Sequence, residues 1–187
     1  MLRRRRLFRP ARSPRSLRGP ALALVAALIA AALSGLGLPS DLMGSAPREQ
    51  DWSALAPEVR VVDGDTLRLG DRTLRLAAVD APERGQGCTD PQGRWFDCGA
   101  AAAEALSRLI DGRSVVCVVR GRDRFGRGLG VCRAGGADLN AGLVRAGWAL
   151  AYPDDPAMLA LEAEARRAAR GLWAGGFQRP EEWRRRN

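Results

Sequence analysis

A chain of 187 residues accommodates one domain with a real hydrophobic core behind a targeting segment. It contains no histidine, which excludes the commonest general base, a His-ligated metal and every Ser-His or Cys-His nucleophile, so its chemistry must run on carboxylates and arginines. The formal charge of +9 says little about partners: eight of the 30 basic residues precede Pro20, and from Pro47 onward twenty-two arginines face twenty acids.

In chain order, Arg3, Arg4, Arg5, Arg6, Arg9, Arg12, Arg15 and Arg18 precede an apolar run from Ala21 to about Leu38, the pattern of an export signal. Two readings stay open. Gly44-Ser45-Ala46 offers a cleavage site, giving a periplasmic or secreted protein. The run of about eighteen residues also nears the length of a spanning helix, giving an inner-membrane anchor through 21–38 with the domain facing out of the cytoplasm. Residues 1–46 are therefore assigned to signal or anchor. Pro39 to about Pro57 is rich in Pro, Ser, Gly and charge and reads as linker, its last stretch being 47–57 before a domain over 58–187.

Within that domain, alternation predicts strands over Glu58–Val62, Thr66–Leu69 and Arg72–Val79, the last two joined by a turn at Gly70-Asp71. In the third strand Leu74, Leu76 and Ala78 share one face and Arg75, Ala77 and Val79 the other. A helix over Ala100–Ile110 buries Leu106, Leu109 and Ile110 and stops at Gly112. Strands over Ser114–Arg120 and Gly128–Arg133 form a second hairpin. A helix over Leu139–Ala146 is capped by Asp138, and a longer one starts at Asp155-Pro156 and ends by Gly171. Five short strands and three helices predict an α+β domain built on an OB-type five-stranded β-barrel.

Two stretches on adjacent strands concentrate the chemistry. Val61-Val62-Asp63-Gly64-Asp65-Thr66-Leu67 and Arg75-Leu76-Ala77-Ala78-Val79-Asp80-Ala81-Pro82-Glu83 bring four carboxylates and an arginine within about twenty residues. Asp123-Arg124-Phe125-Gly126-Arg127 adds a second arginine at a hairpin tip. Carboxylates, a backbone carbonyl and waters suit a hard divalent cation, and guanidinium forks suit a phosphate carrying extra negative charge. Taken singly each motif has a blander use, as an Asp-Gly turn or a solvated arginine. Their coincidence points to phosphodiester chemistry.

The order V-x-D-G-D-T, R-L-x-x-V-D-A-P-E, D-R-F-G-R, then Asp138-Leu139-Asn140 with Leu143-Val144-Arg145-Ala146-Gly147, resembles the staphylococcal nuclease (thermonuclease) family over roughly Glu58 to Tyr152. The resemblance implies a calcium-dependent nuclease that cleaves DNA or RNA at the bond to the 5′ oxygen with little sequence specificity. It implies calcium ligation by Asp65, Asp80 and the backbone carbonyl of Ala81, with magnesium or manganese as alternatives. Glu83 falls at the position that orients or deprotonates the attacking water, and Arg75 and Arg127 at the phosphate-binding positions. Asp63 and Thr66 steady the turn around Asp65. Phe125 and Tyr152 are the candidates for stacking on substrate bases, single-stranded DNA or RNA being the expected substrate of a monomeric enzyme. A catalytically silent nucleic-acid-binding or envelope interaction module is the competing class.

The four cysteines fit export: Cys117 and Cys132 sit on the two strands of one hairpin, and Cys88 and Cys98 bracket the loop after Glu83. Both pairs are expected as disulfides, the second stiffening the rim of the site. The extension over 171–187 carries Trp173, Phe177 and Trp183, read as packing aromatics, and closes on Arg184-Arg185-Arg186, read as a solvated tail.

Overall fold

The computed structural model describes residues 49–186, so the signal or anchor expected over 1–46, including the run 21–38, lies outside the described residues. The strands are β1 (Gln50–Ala54), β2 (Val59–Asp63), β3 (Thr66–Leu69), β4 (Arg72–Leu76), β5 (Val79–Asp80), β6 (Gly87–Thr89), β7 (Trp95–Asp97), β8 (Val115–Arg122), β9 (Gly128–Ala134), β10 (Ala137–Asp138) and β11 (Leu150–Ala151). The helices are α1 (Cys98–Ile110), α2 (Leu139–Arg145), α3 (Pro156–Arg167) and α4 (Pro180–Arg184). A curled mixed sheet runs β1-β8-β9-β4-β3-β2, with β10 added to β9. Its pairings are antiparallel except β4 with β9, where Arg75 lies beside Leu129. The strands β5 with β11 and β6 with β7 form separate two-stranded ribbons.

All five expected strands are present as β2, β3, β4, β8 and β9, but the domain begins earlier than its composition suggests. The stretch 47–57, read as linker, contains β1, which pairs with β8 from Gln50–Val119 to Ala54–Val115. Only Trp52 and Ala54 turn inward, too few inward residues to stand out from polar surroundings. Trp52 is fixed by its size: it lies against Gly128, where a Cβ would come 2.7 Å from the indole, and the Arg72 and Arg122 guanidiniums stack 5.0 and 5.2 Å from its ring.

The third expected strand also breaks. It ends at Leu76, and Ala78 takes φ +61°, a left-handed conformation rare for a residue with a Cβ. The turn inverts the alternation, so Val79 joins Leu74 and Leu76 in the core instead of sharing the face of Arg75. Helix α1 starts at Cys98, two residues before the expected Ala100, because the Asp97 carboxylate accepts from the Ala100 amide. The caps of α2 and α3 are Asp138 and Asp155 as expected, accepting from Ala141 and from Ala157 and Met158. Helix α3 stops at Arg167, before Gly171, which instead opens a short 3-10 turn over Gly171–Ala174.

The main core joins Leu67, Leu69, Leu74 and Leu76 of the sheet to Leu106 and Ile110 of α1 and Leu139, Leu143 and Val144 of α2. Burial of these aliphatic side chains is the main term holding the sheet to its helices. A smaller cluster forms around Leu150 and Leu172, with Phe96, Trp148, Trp173 and Phe177 packed on it. The Trp173 and Phe177 rings meet edge to face at 4.9 Å, the packing role expected of them. Disulfides join Cys88 to Cys98 and Cys117 to Cys132.

Candidate active site

The β2–β3 turn places the first carboxylate. A register shift between Val61 and Asp63 precedes the last pair of the β2–β3 ladder, Asp63 with Thr66, and the Asp65 amide donates to the Asp63 carboxylate at 3.2 Å. Gly64 does not use left-handed backbone here. Its lack of a side chain admits α1 instead, since a Cβ would lie 2.7 Å from those of both Ala81 and Ala102. The Asp65 side chain is thereby turned inward and is only 3% exposed as a residue. It accepts from the Thr66 hydroxyl at 3.0 Å and the Ala81 amide at 3.3 Å.

Thr66 lies opposite Arg75 across the β3–β4 ladder, and this register carries the Arg75 guanidinium onto Asp65. Its Nη1 donates to Asp65 Oδ1 at 2.9 Å, and its Nη2 stands 2.8 Å from Asp65 Oδ2 and 2.9 Å from Asp80 Oδ1. Asp80 is available because the Ala77-Ala78 turn brings β5 back beside Arg75. That turn is pinned from α2: the buried Asn140 amide donates to the carbonyls of Ala77 and Gly130, and its Oδ1 accepts from the Cys132 amide. Asn140 was visible in sequence as part of a motif; its task of holding a turn was not.

Burial pushes the Asp65 carboxyl from the ordinary 3.8 up to about 7, against the opposing pull of Arg75. Burial also works against the charge of Arg75, but Asp65, Asp80 and the Tyr152 phenol outweigh it and hold the guanidinium firmly protonated. Asp123, despite a burial cost, is held below its usual range by the Arg127 side chain and by the Arg127 and Phe125 amides. Arg127 Nε meets Asp123 Oδ2 at 2.7 Å, which fixes the guanidinium at the start of β9. The Arg124 and Arg127 guanidiniums both lie over the exposed Phe125 ring, 4.7 and 5.4 Å from its centroid.

Arg75, Glu83, Arg127, Phe125 and Tyr152 line one cleft of about 570 Å³. Asp65, Thr66 and Ala81 are buried, and so is Asp80, which lines an adjoining pocket that shares Tyr152 and Arg184 with the cleft. Glu83 is held through its backbone, whose amide donates to the Gln86 side chain at 3.2 Å. Gln86 is fully buried and accepts the Cys98 amide on its carbonyl, so the Cys88–Cys98 disulfide and the cap of α1 converge on the loop after Glu83. Gly99 permits the approach: a Cβ there would fall 1.9 Å from the Glu83 carbonyl oxygen.

One residue of the site was misread from sequence. Arg184, taken for part of a solvated tail, reaches from α4 to Glu83 Oε1 at 2.8 Å and to Asp80 Oδ1 and Oδ2 at 3.0 and 3.1 Å. No local pattern announces a contact across 101 residues. Its neighbour Arg185 is exposed and pairs with Glu181 of the same helix, as a surface arginine is expected to.

Among the described residues no group of three or more His, Cys, Asp or Glu forms a ready-made metal cage. Asp65, Asp80 and Glu83 are instead strung along the guanidiniums of Arg75 and Arg184. The donor chemistry nevertheless suits a hard cation. Three carboxylates and the Ala81 carbonyl offer only oxygen, and Asp65 retains a protonation tendency that one guanidinium has not offset and a divalent charge would.

A family model described as staphylococcal nuclease homologue matches residues 73–175. The succinoglycan biosynthesis protein ExoI of Rhizobium meliloti (strain 1021) is 37% identical over 120 residues, covering 62% of this chain and 63% of its own length. An uncharacterized endonuclease of Escherichia coli O157:H7 is 38% identical over 124 residues, covering 62% of this chain and 74% of the relative. The micrococcal nuclease of Shigella flexneri is 36% identical over 154 residues, covering 72% of this chain and 83% of that protein.

Proposed function

Because this chain belongs to the staphylococcal nuclease family, we propose that it is an exported, calcium-dependent nuclease that hydrolyses phosphodiester bonds of DNA or RNA with little sequence specificity. The observation that carries the reading is the cleft that gathers Arg75, Arg127 and Glu83 from β4, the β8–β9 tip and the loop after β5. On this reading the curled sheet is the barrel of an OB-type fold. The arginine-rich start with its apolar run, together with two disulfides, supports a site of action outside the cytoplasm, as a free or an anchored protein.

The substrate phosphate sits between Arg75 and Arg127, whose N–H groups beyond those given to Asp65, Asp80 and Asp123 meet it and whose charge persists at any working pH. Glu83, 30% exposed at its side chain, faces water and orients or deprotonates the attacking molecule. The water oxygen forms a bond to phosphorus, the bond to the 5′ oxygen breaks, and that oxygen takes up a proton. Charge accumulating on the phosphate is met by guanidiniums already fixed by Asp65, Asp80 and Asp123, so little reorganisation is needed. Asp65, Asp80 and the Ala81 carbonyl would hold calcium, or magnesium or manganese in its place, which would add further neutralisation and a polarised water. Phe125 and Tyr152 stand at the mouth to stack on unpaired bases, which favours single-stranded substrate.

The test is hydrolysis of heat-denatured DNA by the purified, disulfide-bonded chain in calcium and in excess chelator. Calcium-dependent degradation is expected. A folded chain that binds DNA without cutting it would replace the nuclease by a silent binding module.

A further inference from the structure

We infer that Arg184 is a positioning residue of this site, delivered by the C-terminal segment to hold Glu83 and to occupy Asp80 until a divalent cation claims that carboxylate. The inference rests on the nuclease reading above but adds a side chain that lies beyond the family match, which ends at residue 175.

The segment that carries Arg184 is built into the fold rather than draped on it. Thr89 and Gly176 exchange backbone hydrogen bonds at 2.8 and 3.0 Å, and Gly175 packs so closely that a Cβ would lie 2.0 Å from the Thr89 carbonyl oxygen. The buried Gln86 side chain donates to the Gln178 carbonyl at 2.7 Å while accepting from the Glu83 amide, so one amide ties the tail to the backbone of the residue it serves. Phe177 and Trp173 anchor the same segment in the smaller core. Pro180 then starts α4 and projects Arg184 back to the cleft, which it lines beside Arg75 and Arg127.

Two arginines share Asp80, and they are not equivalent. Arg75 is 12% exposed at its side chain and also grips Asp65, whereas Arg184 is 36% exposed and bridges outward to Glu83. A cation arriving at Asp80 displaces the more exposed and less committed partner. Arg184 then keeps Glu83 as its remaining carboxylate, in an orientation set by a short charged contact. The site therefore starts from a charge-compensated arrangement, in which clustered carboxylates do not repel one another in the absence of metal.

The test compares the full chain with Arg184→Ala, Arg184→Lys and, as a control on the same helix, Arg185→Ala. Calcium affinity is read by calorimetry without substrate, and kcat and KM on a single-stranded oligonucleotide. Losing the internal competitor tightens calcium binding by about tenfold in Arg184→Ala, the size of one modest ion-pair coupling. Losing the holder of Glu83 lowers kcat by roughly tenfold or more with a smaller change in KM. Lysine restores the charge, so calcium affinity returns toward the parent, but its freely rotating ammonium lacks the planar fork whose Nη1 meets Asp80 and Glu83 together while Nη2 holds Asp80, and kcat stays low. Arg185→Ala matches the parent. Unchanged calcium affinity and kcat in a folded Arg184→Ala chain would overturn the inference, as would looser calcium binding shared by Arg185→Ala, which would mark a purely structural tail. If the parent chain cuts no nucleic acid the nuclease reading fails, and the calorimetric comparison still decides whether Arg184 competes for Asp80.

Discussion

The Asn140 side chain donates to the Ala77 carbonyl at 2.8 Å across 63 residues of sequence, and by fixing that turn it sets where Asp80 points. The same side chain accepts from the Cys132 amide, so Asn140→Leu strands the Ala77 carbonyl and the Cys132 amide, while the Gly130 carbonyl keeps the Ala77 amide. A loss of about 2–4 kcal/mol in denaturant stability is expected, together with weaker calcium binding. A fully stable variant would show that the turn holds itself.

Glu83→Gln and Arg127→Ala are expected to lower the rate of hydrolysis by roughly a hundredfold to a thousandfold. Both side chains face the cleft rather than the core, so far-UV circular dichroism and melting temperature should change little. Retention of the parental rate in either variant would remove that residue from the chemistry.

The burial of Asp65 predicts a pH dependence with a definite sign. Its folded pKa of about 7 lies above the ordinary 3.8, so without metal the folded chain binds the extra proton between those values. The Asp65 contribution to stability is full below about pH 4 and is lost as pH rises to about 7. In chelator, the stability of the parent relative to Asp65→Asn should therefore fall over that window and level off above it. Calcium, which requires the ionised carboxylate, should abolish the slope. A difference that is flat with pH would mean that Arg75 already keeps Asp65 ionised.

The two disulfides close loops of similar length, 10 and 15 residues apart, and the chain-entropy view gives each roughly 3 kcal/mol. Their effects on activity should differ. Replacing Cys88 and Cys98 by serine loosens the ribbon that carries Gln86 and hence Glu83, and is expected to lower kcat at temperatures where the fold persists. Replacing Cys117 and Cys132 acts on the β8–β9 hairpin away from Glu83 and should cost stability with kcat preserved. Equal kcat in the two double variants would show that the ribbon holds its shape unaided.

Much of the domain was legible because its signals are local. Alternation gave β3 and the start of β4, Asp138 and Asp155 announced their helices, and cysteines on facing strands found one another. What escaped depends on distance or on single torsions. The inward residues of β1 are only Trp52 and Ala54, so its composition reads as linker. Ala78 inverts its strand through a positive φ that no alanine advertises. The motifs named the residues that line the cleft, yet the partner of Glu83 lay at the far end of the chain, where a run of arginines looks like any solubilising tail.

The cleft's cations are all guanidiniums, for the chain contains no lysine. Amine-directed reagents, whether labels, cross-linkers or aldehyde fixatives, leave its charged frame intact, so the protein should keep its cleft-lining arginines through treatments that blunt lysine-based sites. Vicinal dicarbonyls, which modify arginine, attack the same frame in order of access: Arg184 at 36% side-chain exposure, Arg127 at 25% and Arg75 at 12%. The chemistry that spares the cleft and the chemistry that disables it thus differ only in the kind of nitrogen they seek.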